Sequence, residues 1–232
     1  MAEKSTNVRT AKSAATDPSP VSHGTNVVSG AGQAGSPRGR GGAPLHGIGA
    51  SRGFGILMLI LSAIGLWFSV LIMYDKIELM LDSSFTPACT LNDVISCSDV
   101  MASGQASTFG FPNPFIGMIG FPVVMTIAVV LLIGARLPRW MWWSSVFGLG
   151  LAVLFVHWLA YQAIFNIVAL CPWCMVVWSV TLPLFVMTLT HTLRESRRHA
   201  GQPAAEGIAV PLIITIAWYV GFAAVIAMQF MM

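Results

Sequence analysis

Four cysteines are the residues of this chain whose type and spacing could do chemistry. Cys171 and Cys174 bracket Pro172 and Trp173 in a C-x-x-C, and Cys89 and Cys97 enclose the seven residues TLNDVIS. Pro172 suits the first turn of a helix, where its missing N–H would be unpaired in any case. The pattern therefore predicts Cys171 at a helix N-cap and Cys174 one turn in. The positive end of the helix dipole stabilises a thiolate there, and the thiolate is the nucleophile of thiol–disulfide exchange. The segment 89–97 is polar, with Asn92, Asp93 and Ser96, and short enough to close into a disulfide if the chain turns back on itself. After it, SDVMASG has the length of a short helix with Ser98 as its cap. Pro112 and Pro114 mark the start of the next apolar run.

Two other uses of the same cysteines carry less weight. As permanent bridges they would do little, because a C-x-x-C loop is too small to stabilise much and a large bundle seldom needs staples. A zinc site would favour two C-x-x-C knuckles over the x₇ spacing, so no metal is expected. A relay accounts for both pairs. The loop pair can meet a soluble dithiol, the pair at the helix start can meet a lipid-soluble oxidant, and exchange through a mixed disulfide links them.

The elements that must position these residues are set by composition. The chain is 56% hydrophobic and 9% charged, against about 25% charged in soluble domains. Its surroundings are therefore expected to be membrane lipid, with no nucleic-acid partner. Five apolar runs, near residues 53–74, 115–135, 140–165, 172–193 and 209–231, each have the length a spanning helix needs. Residues 1–52 are Ala, Gly, Ser, Thr and Pro with scattered bases, and read as a disordered cytoplasmic tail. They hold no apolar core of a cleavable signal peptide. Residues 53–232 then form one transmembrane domain, with an outer loop over 75–114. Alternating the loops puts Arg52, Arg136, Arg139, Arg194, Arg197 and Arg198 on one side with the tail, and only Lys76 on the other. The positive-inside rule places the N-terminus in the cytoplasm. The C-terminus and all four cysteines are then extracytoplasmic, where disulfides persist. The expected location is the inner (plasma) membrane, multi-pass.

The order of these features resembles the vitamin K epoxide reductase family, specifically its bacterial members. The likeness runs from about residue 54 to 193. It is carried by Cys89 and Cys97 after the first run, Ser103 six residues on, FGFPN ending at Asn113, and CPWC opening the fourth run, with a fifth helix as in bacterial forms. The resemblance implies an all-α polytopic membrane protein, a four-helix bundle around a quinone plus a fifth transmembrane helix, with a half-helix of the loop capping the site. It implies that Cys171 and Cys174 are the active pair and that Cys89 and Cys97 are the shuttle. Electrons would pass from an extracytoplasmic DsbA-like or thioredoxin-like protein to a quinone, menaquinone or ubiquinone, driving disulfide formation. Some members carry a fused thioredoxin-like domain. The chain as read leaves no room for one, so a separate partner is expected. The reduced partner would open the Cys89–Cys97 bond, one loop thiol, with Cys97 taken first, would attack Cys171, and the released Cys174 would donate to the quinone. Which loop cysteine meets the partner stays open, as does the oligomeric state.

By the same resemblance, Asn113 donates to a quinone carbonyl and Ser103 stands on the capping half-helix. Trp178 occupies a wall position that is Tyr in vertebrate members, and an indole N–H donates but does not accept. Asn113 read alone is equally a helix cap in a PNP turn. Trp140, Trp142 and Trp143 read as an interfacial aromatic belt, and His157 as a neutral histidine bonded to a neighbouring helix. Two alternatives remain for the whole chain. One is a quinone or quinone-epoxide reductase of the same fold, and the other is a non-catalytic, disulfide-stapled or metal-holding membrane subunit. A DsbB-like protein would carry its C-x-x-C in the first outer loop, and transport finds support only in His157.

Overall fold

Residues 47–82, 84–203 and 209–231 are described by a computed structural model. They all fall within one compact unit spanning 44–232. The expected tail thus lies outside the described residues up to position 46. Residues 47–51, its last part, are packed: Ile48 and Leu137 exchange backbone hydrogen bonds of 2.8 and 3.0 Å, and Trp142 Nε1 donates to the Ile48 carbonyl at 3.2 Å.

The described residues are mostly helical and contain no β-strand, only two isolated bridges. Six α-helices follow in order: α1 (Arg52–Leu81), α2 (Cys97–Ala102), α3 (Pro114–Leu132), α4 (Arg139–Tyr161), α5 (Pro172–His199) and α6 (Ala209–Met231). A 3₁₀ turn, Gly104–Ser107, follows α2, and a π-helical turn, Gln162–Ile167, extends α4. All but α2 are long and apolar enough to cross a membrane, with mean hydropathy from 1.6 to 2.6. Ser51 caps α1 by accepting from Phe54 N–H at 3.2 Å. This helix runs two turns past the expected end at Tyr74, because DKIELML contains no breaker. Asp75, Lys76 and Glu78 therefore stand on a helix and not in the outer loop.

Apolar burial gives no preference between helices in lipid, so close approach of small residues decides which of them pack. A Cβ on Gly65 would collide with the Phe121 ring, and one on Gly117 with the Ser69 side chain. These two positions let α1 and α3 interlock. Packing continues from α1 to α5, and from α5 to α4 and α6. Although residues 133–138 join them directly, α3 and α4 are not among the closely packed pairs. Of the three belt tryptophans, Trp140 and Trp143 are exposed, but Trp142 is buried between Phe54 and His191, with ring centroids at 6.0 and 4.5 Å.

The outermost helix, α6, is tied on by polar contacts. His157 Nδ1 bonds to the Val153 carbonyl at 2.7 Å, and Nε2 accepts from Trp218 Nε1–H at 2.7 Å. Both ring nitrogens are thus engaged, one within α4 and the other with the neighbouring helix α6. Pro183 lies inside α5 and has no N–H for the carbonyl of Ser179, four residues earlier. Tyr219 Oη supplies the missing donor at 2.5 Å. In hydrocarbon an unpaired carbonyl has no water to turn to. Tyr219→Phe should therefore destabilise the protein by about 1–3 kcal/mol, read as a fall of about 2–4 °C in the detergent Tm for each kcal/mol. In a Pro183→Ala background the restored N–H should abolish most of that loss. An equal loss in both backgrounds would show that Tyr219 acts some other way.

Candidate active site

The shuttle loop folds through its own polar side chains. Asn92 Oδ1 accepts from the N–H groups of Val94 and Ile95 at 3.0 and 2.8 Å, and Leu91 N–H donates to the Ile95 carbonyl at 2.8 Å. The chain so reversed brings Cys89 and Cys97 together in a disulfide with Cα atoms 5.7 Å apart. Ser96, and not Ser98, caps α2, accepting from Asp99 N–H at 3.2 Å. Ser98 pairs with Thr90 across the loop at 3.0 Å. The cap of the short helix thus lies two residues earlier than the sequence suggests, with Cys97 in its first turn.

The second cysteine pair is brought to the first by backbone. After the π-helical turn, Val168 adopts φ 55°, the left-handed region, rare for a β-branched residue. This kink turns the chain so that Leu170 lies parallel to Ile95. Leu170 N–H donates to the Val94 carbonyl at 2.7 Å, and Ser96 N–H donates to the Leu170 carbonyl at 3.1 Å. The next residues on the two segments, Cys97 and Cys171, then face each other with sulfurs 3.2 Å apart, within the separation of about 3–3.5 Å expected of reacting atoms. Cys89, Cys97 and Cys171 are all buried, their sulfurs within 4.8 Å of one another. With Cys89 and Cys97 joined, two of the three lack the thiolate a metal would need.

Cys171 is the N-cap of α5 with Pro172 in its first turn, and its sulfur accepts from Cys174 N–H at 3.4 Å. The Cys171 thiol is held below its ordinary value. The side-chain hydrogen bond with Cys174 is the largest cause, and the backbone N–H groups of Cys174 and Trp173 add to it. Burial and the Asp75 carboxylate oppose it. Trp173, between the two cysteines, is seated on α1: its ring lies 5.3 Å from Phe68, and its side chain hydrogen-bonds Asp75.

Cys174 looks the other way. It lines a cavity of about 780 Å³ that Cys171 does not reach. The walls come from α1, α3, α4 and α5, and run along α4 from Trp140 to the π-helical turn. They are largely apolar, and the polar side chains among them include Lys76 on α1 and Ser103, Gln105 and Asn113 in the loop after α2. Such a space fits a flat ring with two polar oxygens and a long apolar tail. Asn113 stands at the N-cap position of α3, but its side chain makes no cap hydrogen bond. Its Nδ2 donates to the Gln105 carbonyl at 2.6 Å and its Oδ1 accepts from Thr108 N–H at 3.1 Å, which leaves one amide hydrogen. Ser103 Oγ donates to the Val100 carbonyl at 2.7 Å and keeps its acceptor capacity. Trp178 is buried in the wall, edge-on to Phe222 of α6 at 5.8 Å.

Sequence reasoning missed the Ile95–Leu170 bridge, the seat of Trp173 and the place of Lys76 in the cavity. The bridge leaves no periodic signal. The other two were readable only if α1 had been continued, since Phe68, Ile72 and Asp75 share one helical face and Ser69, Ile72 and Lys76 an adjoining one.

The geometry predicts that in a Cys89→Ala/Cys174→Ala variant exposed to dissolved oxygen, which takes up the two electrons and two protons, the facing thiols will form a Cys97–Cys171 disulfide, seen as a loss of two free thiols by mass spectrometry. Adding Leu170→Pro, which deletes the N–H donated to Val94, should cut that cross-linking sharply. The pH sign follows from the Cys171 thiol. Its value is lowered, chiefly by Cys174, so in the protein with all four cysteines its thiolate persists to lower pH, and the reverse exchange, attack of the Cys171 thiolate on the loop disulfide, should reach half its plateau below the pH of an ordinary cysteine. A midpoint at or above that pH would contradict the assignment.

No individual curated protein matches the chain. Residues 56–189, more than half of its length, match the Vitamin K epoxide reductase family. On this match the chain belongs to the vitamin K epoxide reductase family, membrane-embedded oxidoreductases that link disulfide chemistry to a quinone.

Proposed function

We propose that the protein is a thiol oxidase that drives disulfide formation outside the cytoplasm, drawing electrons from a DsbA-like or thioredoxin-like dithiol protein. The observation that carries the reading is the division of labour in the C-x-x-C. Cys171 touches the loop disulfide at 3.2 Å, and Cys174 lines the cavity.

The steps balance as follows. A thiolate of the partner attacks Cys89, the less deeply buried end of the loop disulfide, and Cys97 leaves as thiolate; the partner's second thiol then releases Cys89 and closes the partner's own disulfide. The Cys97 thiolate attacks Cys171 of an oxidised C-x-x-C, forming a Cys97–Cys171 bond and expelling the Cys174 thiolate. Cys89 attacks Cys97, restores the loop disulfide and frees Cys171. A quinone held in the cavity accepts the electron pair, with two protons, as the Cys171–Cys174 bond re-forms. Asn113, through its remaining amide hydrogen, and Ser103 would orient it, and Trp178 would wall it in.

Cys89 and Cys97 are 3% and 0% exposed, so the loop must open locally to receive a protein dithiol. The gap between α3 and α4 suits a lipid-soluble acceptor that arrives sideways from the bilayer. With Arg136, Arg139 and the Arg194–Arg198 cluster at the end of the bundle opposite the cysteines, the reading puts that end in the cytoplasm.

The test uses purified protein, a reduced DsbA-like protein and a short-chain quinone, followed by quinone absorbance. Turnover with the protein donor should need all four cysteines. Cys89→Ala should lose turnover with the protein donor and keep it with dithiothreitol, whereas Cys174→Ala should lose both. If the wild type reduces no quinone with either donor, the chain is a stapled subunit and the reading fails.

A further inference from the structure

Among the described residues that line the cavity, Lys76 alone is of a charged type, with no Asp, Glu or Arg beside it. It stands on α1 on the face of Ser69 and Ile72, which also line the cavity. Its ammonium donates to the carbonyl of Met101, at the end of α2 beside Ser103. It has no carboxylate partner among the described residues. The two acids nearest in sequence are engaged elsewhere, Asp75 with Trp173 and Glu78 with Tyr74.

A cation facing an apolar chamber without a counter-charge is costly to keep, and such residues in membrane proteins mark sites of chemistry. A neutral ring does not repay that cost in the ground state. Negative charge on a ring oxygen does, and it develops only as electrons leave sulfur. An ammonium has three N–H donors. One goes to Met101, and two stay free to meet that oxygen. Donors aimed at charge that appears in the transition state accelerate the step without tightening the binding of substrate.

We infer that Lys76 is a further catalytic residue, one that stabilises the negative charge arising on the acceptor oxygen as Cys174 delivers the electron pair. The inference rests on the quinone-linked reading above. The step it serves balances internally: the two thiols of Cys171 and Cys174 lose two electrons and two protons as their S–S bond forms, and one quinone takes up both to become the quinol. Lys76 donates a hydrogen bond throughout and is left unchanged. The Met101 contact gives Lys76 a second task, holding α2 over the cavity, so the test must separate the two.

The test compares Lys76→Met and Lys76→Arg with wild type, using menadione as acceptor and dithiothreitol as donor. Three readouts are taken: the kcat and KM split, menadione affinity by quenching of tryptophan fluorescence, and Cys97–Cys171 cross-linking in the Cys89→Ala/Cys174→Ala background. Lys76→Met should lower kcat about 100-fold while affinity and cross-linking stay within about threefold, and Lys76→Arg should recover at least about a tenth of wild-type kcat. Turnover of Lys76→Met within about threefold of wild type would overturn the inference. So would a loss matched by lost affinity or lost cross-linking, which would make Lys76 a structural clamp on α2. Wild type that reduces no menadione would overturn the quinone reading itself, and this inference with it.

Discussion

Two backbone hydrogen bonds, from Leu170 N–H to Val94 and from Ser96 N–H to Leu170, are the constraint on which the site depends. They join a polar surface loop to the segment leading into a membrane helix. Side-chain packing could bring the two cysteine pairs into one region, but exchange needs sulfurs aligned to within a few tenths of an ångström. A short parallel bridge gives that alignment because backbone geometry is stiffer than rotamers. The strained conformation of Val168 and the π-helical turn before it are the local distortions that let the chain leave α4 and enter this pairing. Strain of this kind survives only where the surroundings enforce it. Here the bridge on one side and the Cys171 cap on the other do so.

Much of the architecture was legible in advance, for physical reasons. The bilayer admits few forms of backbone, so five apolar runs translate directly into five helices. Pro172 announces the first turn of α5, and with it the placing of Cys171 as cap and Cys174 within the helix. What stayed hidden depends on contacts between distant segments. Nothing in VIS or VAL marks Ile95 and Leu170 as partners. The charges of Asp75, Lys76 and Glu78 ended the apolar pattern before the helix itself ended, so a catalytic candidate was read only as a marker of orientation. Asn113 was weighed as a cap or a ligand, and its side chain ties the 3₁₀ turn to the start of α3 while keeping one amide hydrogen. Trp142 shows the limit of a belt argument, since one of three neighbouring tryptophans faces inward to bond Ile48.

The same rule that selects helices also explains α6. This helix buries little, and in lipid there is scant gain from burying more. It is retained by repairing what its neighbours lack: Tyr219 serves the carbonyl that Pro183 strands, and Trp218 completes His157. Phe222 then braces Trp178 from behind. A peripheral helix is thereby connected to the wall of the cavity through a chain of specific contacts.

The parting of α3 and α4 has a consequence for how the protein's substrate is counted. On the proposed function, an acceptor that enters where α3 and α4 are not closely packed would come from the bilayer, where an apolar molecule concentrates far above its aqueous level. The relevant quantity is then the mole fraction in the surrounding lipid or detergent, not the amount per volume of buffer. Diluting the acceptor with extra detergent at fixed total concentration should slow encounter just as lowering its amount would. Apparent constants taken at different micelle contents become comparable only after conversion to that surface scale. In a cell, saturation would be governed by the composition of the membrane, and the aqueous face would set only the supply of thiols.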